Sequence, residues 1–235
     1  MPDNKTITLP VQDGSTMDAY VSSPPRGQGP CPGLLLFQEA FGVNHHIRSL
    51  ADRLAGLGYV VIAPELFHRT TRGFEGSYTD FAAVQPHLRA LETPLLEADI
   101  RASYEWLRQQ EKVPENAIGS IGFCMGGRVS LLANMILPIC AAVSYYAGNL
   151  PSLFSRIPEL HAPQLLYWGG LDTHIPTETV RQVADRLREA GKEYTEVVFS
   201  SAQHGFACDE RASYHAGAAR QSWAMTEAFL QTHLK

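Results

Sequence analysis

Short apolar runs alternate with amphipathic segments along most of the chain, the pattern of a parallel sheet covered by helices. The runs predict eight strands, at 7–11, 19–23, 33–38, 59–64, 117–123, 141–147, 164–169 and 195–200. The middle ones are nearly unbroken apolar stretches such as GLLLFQ and YVVIAP, as expected of strands buried on both faces. The first two are polar and alternating, which predicts an edge hairpin turned at Asp13-Gly14. Apolar residues at three- and four-residue spacing predict helices over 45–56, 95–111, 125–137, 177–190 and 212–233. Gly56 or Gly58 and Gly191 supply helix stops. The expected class is therefore α/β: a mostly parallel eight-stranded sheet with helices on both faces. Residues 68–94 break the pattern with weak periodicity and several turn formers. A connection this long inside a compact domain reads as a lid or pocket-wall insertion.

Composition narrows the classes. A chain of 235 residues with 45% hydrophobic and 18% charged residues is expected to form a single domain over 1–235. Nineteen Lys+Arg against 24 Asp+Glu give a net charge of −5, which argues against a nucleic-acid partner. The polar N-terminus and the lack of a long apolar run argue against a membrane partner and for a cytoplasmic protein, monomeric or a small homo-oligomer. The four cysteines, Cys31, Cys124, Cys140 and Cys208, fit neither a disulfide framework nor a CxxC zinc site. His45-His46 offers no metal site, because adjacent helical residues do not share a face. No metal and no organic cofactor is expected.

The segment Ile121-Gly122-Phe123-Cys124-Met125-Gly126-Gly127 takes an apolar strand through a Gly-x-Cys-x-Gly turn straight into a helix. This is the nucleophile-elbow pattern with Cys in the Ser position. A sharp strand-to-helix turn brings backbone against residues 122 and 126, where side chains would clash. The turn also puts sulfur over a helix N-terminus, which favours thiolate, and aims the Met125 N–H at a developing oxyanion. Gly169-Gly170-Leu171-Asp172 follows the seventh strand, and His204 follows the last. The order nucleophile, acid, histidine, each after a different strand, is that of an α/β-hydrolase. It points to a Cys124–His204–Asp172 triad.

The sequence resembles the dienelactone hydrolase family (carboxymethylenebutenolidases) of the α/β-hydrolase fold, from about residue 33 to the C-terminus. Gln38-Glu39-Ala40-Phe41-Gly42-Val43-Asn44 is similar to the family's Q-E-x-F-G-V-N segment, and Ala63-Pro64-Glu65-Leu66-Phe67 to its P-D-L-Y/F segment. Gly122 to Gly127, Gly170-Leu171-Asp172 and His204-Gly205-Phe206 match its three triad segments. The resemblance implies hydrolysis of a small carboxylic ester or lactone through a thioester acyl-enzyme. It implies a second oxyanion N–H from Ala40, and a Glu39 carboxylate that takes up the thiol proton until substrate arrives. Family members acting on dienelactone hold its carboxylate with arginines, one of them four residues past the histidine. Here that position is Cys208, and Arg89 in the insertion is a candidate replacement. Phe41, Tyr145, Tyr146 and Phe206 are further candidates for lining the substrate pocket, whereas Arg128 reads as a helix-surface charge.

Two other classes compete. A thiol redox or sensor protein would use Cys124 with Cys208 and would not need Asp172. A non-catalytic binding module on a hydrolase fold would not need the full set of triad residues and glycines.

Overall fold

A computed structural model of the chain describes residues 2–25 and 29–234. Its strands are β1 (Asp3–Pro10), β2 (Thr16–Ser23), β3 (Gly33–Phe37), β4 (Val60–Pro64), β5 (Ile118–Phe123), β6 (Ala141–Tyr145), β7 (Gln164–Gly169) and β8 (Tyr194–Phe199). Its α-helices are α1 (His45–Gly56), α2 (Phe81–Arg89), α3 (Thr93–Arg108), α4 (Met125–Ile136), α5 (Thr177–Glu189) and α6 (Ala216–His233). The strands form an eight-stranded sheet in the order β1-β2-β4-β3-β5-β6-β7-β8. The described pairs β3–β4, β6–β7 and β7–β8 are parallel, whereas β1–β2 and β2–β4 are antiparallel. The chain divides into two compact units, Met1–Gly119 and Ser120–Lys235.

In the first unit the hairpin turns where the sequence places it. Gly14 takes φ +85°, and the Asp13 carboxylate accepts the Ser15 amide. β3 and β4 are buried along their whole length, which the unbroken apolar runs require. Asn44 caps α1 by accepting the Ile47 amide at 3.2 Å, and Ile47, Leu50, Ala51 and Leu54 give that helix its buried face. His46, at the start of α1, is buried. Beyond β4, His68 and Arg69 close on Asp99 of α3. The Arg69 guanidinium donates twice to its carboxylate at 2.8 Å, and His68 Nε2 lies 3.1 Å away. Asp99 is fully buried, so these partners are what allow its charge to sit there.

The 68–94 insertion contains a helix that periodicity did not predict. Asp80 caps α2, Pro86 interrupts its hydrogen bonding, and Val84 is its one buried residue, so the apolar signal was too thin to read. The insertion is pinned to the loop after β3. Gly76 N–H donates to Phe41 O at 3.0 Å, Asn44 donates to the Tyr78 hydroxyl at 2.8 Å, and Arg48 pairs with Glu75. Gly42, at φ +84°, lies directly under the Phe74 carbonyl, which leaves no room for a side chain. Phe41 packs edge-on against Tyr78 at 4.7 Å and contacts Val84.

In the second unit β5, β6 and most of β7 are buried, while β8 is partly exposed. Between β6 and β7 lies a 3-10 segment, Leu150–Glu159, with Pro151 near its start and Pro158 near its end, absent from the predicted elements. Several predicted boundaries move: β1 begins at Asp3 rather than 7, and β2 at Thr16 rather than 19. α3 stops at Arg108 rather than 111, and α6 begins at Ala216 rather than 212. Residues 205–214 instead form successive turns, and His215 caps α6 through its ring nitrogen on the Ala218 amide. Among the described residues no helix is long and apolar enough to cross a membrane.

Candidate active site

β5 ends at Phe123, Cys124 follows, and α4 starts at Met125 without an intervening loop. The turn is so tight that Cys124 takes φ +54°, ψ −116°, a conformation rare for a residue with a side chain. Its backbone is held at both ends: the amide donates to Tyr145 O at 3.0 Å, and the carbonyl accepts Gly127 N–H at 3.0 Å. A Cβ on Gly122 would run into the Gly126 carbonyl, so the elbow closes only with glycine there. Met125 is the first residue of the helix, and its N–H is one of the first-turn donors that a helix leaves without an internal acceptor.

The strand ends beside the elbow supply the partners. At the end of β7, Gly169 and Gly170 lie against the loop after β8. A Cβ on Gly169 would be 2.6 Å from Ala202 O, and one on Gly170 2.7 Å from Ser200 Cα. That close approach brings Asp172 and His204 together. His204 Nδ1 donates to Asp172 Oδ2 at 2.8 Å, and His204 Nε2 lies 3.0 Å from Cys124 Sγ. The second Asp172 oxygen accepts the His174 and Ile175 amides at 2.8 and 3.1 Å, which fixes the carboxylate's rotation.

The electrostatics follow from this chain of contacts. Burial by itself would depress the His204 imidazole. The charge of Cys124 and the hydrogen bonds to Asp172 and Cys124 outweigh it and raise the ring to about 10. Burial pushes the Asp172 carboxyl up, but the His204 contact and the two amides win and hold it below the usual range. At neutral pH the arrangement favours an imidazolium and a carboxylate, in line with the Cys124 sulfur.

Around these three side chains, Tyr146 takes φ +37° at the end of β6, and its ring lies 5.1 Å from that of His204. Phe206 packs edge-on against Tyr146 at 5.2 Å and is fully buried. Tyr145 also belongs to the core: its ring stacks on Phe123 at 4.6 Å and its hydroxyl meets Thr226 at 2.8 Å. Of the aromatic candidates in this unit, Tyr146 has its ring against the His204 side chain. His174 does so as well, with its exposed ring 5.1 Å from His204. Its place two residues past the aspartate was the available signal, and the sequence reading did not single it out. Cys208 is a fully buried free thiol, and the Arg211 guanidinium fills the space over Gly205. Arg128 is half-buried on α4 rather than a surface charge. Glu39, Ala40, Phe41 and Arg89 belong to the first unit. Glu39 and Ala40 are buried in the loop after β3, and Arg89 is the exposed last residue of α2.

Comparison with known proteins decides the family. The model of the dienelactone hydrolase family matches residues 17–234. The chain belongs to the dienelactone hydrolase family. It is 35% identical to an Escherichia coli O157:H7 protein provisionally designated a carboxymethylenebutenolidase, over 98% of this chain and 89% of that one. It is 28% identical to the carboxymethylenebutenolidase of Pseudomonas putida, over 91% and 90%. A crystal structure from Klebsiella pneumoniae subsp. pneumoniae MGH 78578, provisionally designated a dienelactone hydrolase, superposes with a TM-score of 0.89. That protein is 32% identical, over 99% of this chain and all of the other. The dienelactone hydrolase family has the α/β-hydrolase fold, and the sheet described above is that of its members.

Proposed function

We propose that this dienelactone hydrolase family member hydrolyses a small carboxylic ester or lactone, with Cys124 as nucleophile. The observation that carries the reading is the continuous line Cys124 Sγ–His204 Nε2–Asp172 Oδ2, at 3.0 and 2.8 Å, on a strained strand-to-helix elbow.

The Cys124 thiolate adds to the carbonyl carbon, and the oxygen that gains charge accepts the Met125 N–H. The tetrahedral adduct collapses with cleavage of the C–O bond, and the His204 imidazolium gives its Nε2 proton to the departing alkoxide. In a lactone that alkoxide stays tethered to the acyl group. A thioester on Cys124 remains. Neutral His204 then takes a proton from a water as the water adds to the thioester carbonyl. The C–S bond breaks, thiolate and imidazolium are restored, and the acid leaves. Asp172 holds the ring with Nδ1 protonated throughout. The resemblance adds the Ala40 amide as second oxyanion donor and Glu39 as the group that restrains the thiol.

Hydrolysis of p-nitrophenyl acetate and of dienelactone by the wild type, Cys124→Ala and His204→Ala, in the presence of reductant, tests the reading. Turnover is expected to vanish in Cys124→Ala and to fall steeply in His204→Ala. Variants that match the wild type on each ester would place any activity elsewhere.

A further inference from the structure

Asn134 on α4, Ser144 on β6 and Gln164 on β7 are polar yet fully buried, and the reaction as drawn uses none of them. They form a hydrogen-bonded chain that runs in one direction. Asn134 Nδ2 donates to Gln164 Oε1 at 3.2 Å, Gln164 Nε2 donates to Ser144 Oγ at 3.1 Å, and the Ser144 hydroxyl donates to the Gly127 carbonyl at 2.7 Å. Backbone takes up the remaining capacity. Asn134 also donates to Ala162 O and accepts the His161 and Ala162 amides, and Gln164 donates to Leu165 O.

The chain begins and ends on the same helix. Gly127 and Asn134 are seven residues apart on α4, about two turns, and so share one face. Gln164 and Ser144 stand diagonally on neighbouring strands, because Gln164 pairs with Ala142 and Leu166 with Ser144. α4 is therefore tied to β6 in its first turn and to β7 two turns later. Its buried Val129, Leu131, Leu132, Ala133 and Met135 hold it on the sheet by contacts that have no direction. Such contacts leave rotation and sliding along the helix axis loosely set, and a directional chain anchored at two points does not. Apolar side chains of the same shape would bury as well without needing partners. What the polar set adds is one fixed geometry. The N-terminus of α4 is where geometry matters most. It carries Cys124, whose sulfur lies 3.0 Å from His204 Nε2, and the Met125 N–H, and both work only within about 0.5 Å of the productive position.

We propose that Ser144, Gln164 and Asn134 are positioning residues of the active site: their chain locks α4 against β6 and β7 and sets where Cys124 Sγ and the Met125 N–H stand. For its meaning in catalysis this rests on the hydrolytic reading above, but one arm of its test does not.

Ser144→Ala removes the bond to Gly127, and Gln164→Met keeps most of the side-chain bulk while cutting the chain in its middle. Both variants and their combination are assayed on p-nitrophenyl acetate well below their Tm. In parallel, Cys124 is alkylated with iodoacetamide at fixed pH and the label is read on its peptide. None of the three side chains is open to solvent, so KM should stay within about 2-fold. The kcat should fall about 10-fold in Ser144→Ala and about 3-fold in Gln164→Met, where Ser144 still reaches Gly127. The combined variant should be no slower than Ser144→Ala, since the side chains act as one unit. Cys124 alkylation should slow by about 3-fold or more in Ser144→Ala, as the sulfur moves off His204. Gln164→Met carries the test if Ser144→Ala fails to fold. Folded variants with wild-type kcat and wild-type alkylation overturn the proposal, because the chain then serves stability alone. So do kcat losses that multiply in the combined variant. If the wild type turns over no ester yet the variants alkylate more slowly, the positioning role stands and the hydrolytic reading fails.

Discussion

Gly127 is the position where the packing beneath the nucleophile can be probed without touching the triad. An alanine Cβ there would lie 2.8 Å from the Tyr145 carbonyl, 3.0 Å from Ala147 Cβ and 3.1 Å from Ala147 Cα, against ordinary contact at 3.4 Å or more. The first and third are backbone atoms and cannot swing away, so the start of α4 must lift by roughly half an ångström. Two effects oppose each other. Gly→Ala within a helix favours folding by up to about 1 kcal/mol. Overpacking against backbone opposes it by about 1–3 kcal/mol. Overpacking wins, with a net loss of about 1–2 kcal/mol, or roughly 2–8 °C in Tm for a chain of this size. The catalytic loss is expected to be larger in proportion. The carbonyl that the methyl pushes on is the one that receives the Cys124 amide, so the elbow and its 3.0 Å approach to His204 move with it. A shift of that size warrants about a 10-fold fall in kcat on p-nitrophenyl acetate. Gly56→Ala is the control: it is exposed at the end of α1 with nothing within 4 Å, and should leave Tm unchanged or slightly raised. A Gly127→Ala protein with wild-type Tm and kcat would refute the claim that backbone contact at this glycine sets the nucleophile.

Three further outcomes are expected. Asp172→Asn should leave the fold intact, because an amide oxygen still accepts the His174 and Ile175 N–H groups, yet lower kcat by about 10³–10⁴-fold through loss of the Nδ1 tautomer; steady-state kinetics beside a thermal melt separates the two. His204, raised from 6.5 to about 10, contributes stability that is full below about pH 6.5 and is lost as pH rises through 10. The gap in unfolding free energy between wild type and His204→Gln should therefore narrow across that window, and a gap that widens with pH would show the sign to be wrong. In the first unit, Asp99→Ala strands the buried ends of Arg69 and His68 and should cost about 3–5 kcal/mol by urea unfolding; a loss under 1 kcal/mol would mean the cluster is hydrated.

The meeting of Cys124, His204 and Asp172 side chains was legible because each residue follows a strand whose apolar run is unmistakable, and because the flanking glycines have one physical use: Gly122, Gly169 and Gly170 sit where another segment's backbone leaves no room for a Cβ. The hairpin and the α1 cap were legible for the same local reasons, a left-handed Gly14 and an Asn44 side chain on Ile47 N–H. What escaped depends on tertiary packing. α2 buries only Val84, so its periodicity was too weak to read. Tyr145 and Phe206 stand near the triad in sequence, yet their side chains turn into the core, and nothing in the sequence distinguishes them from Tyr146, whose ring meets His204. Arg128 looked like any polar helical residue, because a side chain's burial is set by what packs over it. The start of α6 was misplaced because residues 205–214 satisfy their amides through successive turns, which leave no periodic trace.

The central claim is covalent catalysis by Cys124, and trapping the acyl-enzyme tests it most directly. p-Nitrophenyl acetate is mixed with the wild type, with His204→Ala and with Cys124→Ala, quenched rapidly in acid, and digested for peptide mass spectrometry. An acetyl group is expected on the Cys124 peptide of the wild type, forming with the p-nitrophenol burst and decaying as acetate appears. Slower decay is expected in His204→Ala, and no label at residue 124 in Cys124→Ala. Full ester turnover with no label on Cys124, undiminished by Cys124→Ala, would contradict the claim.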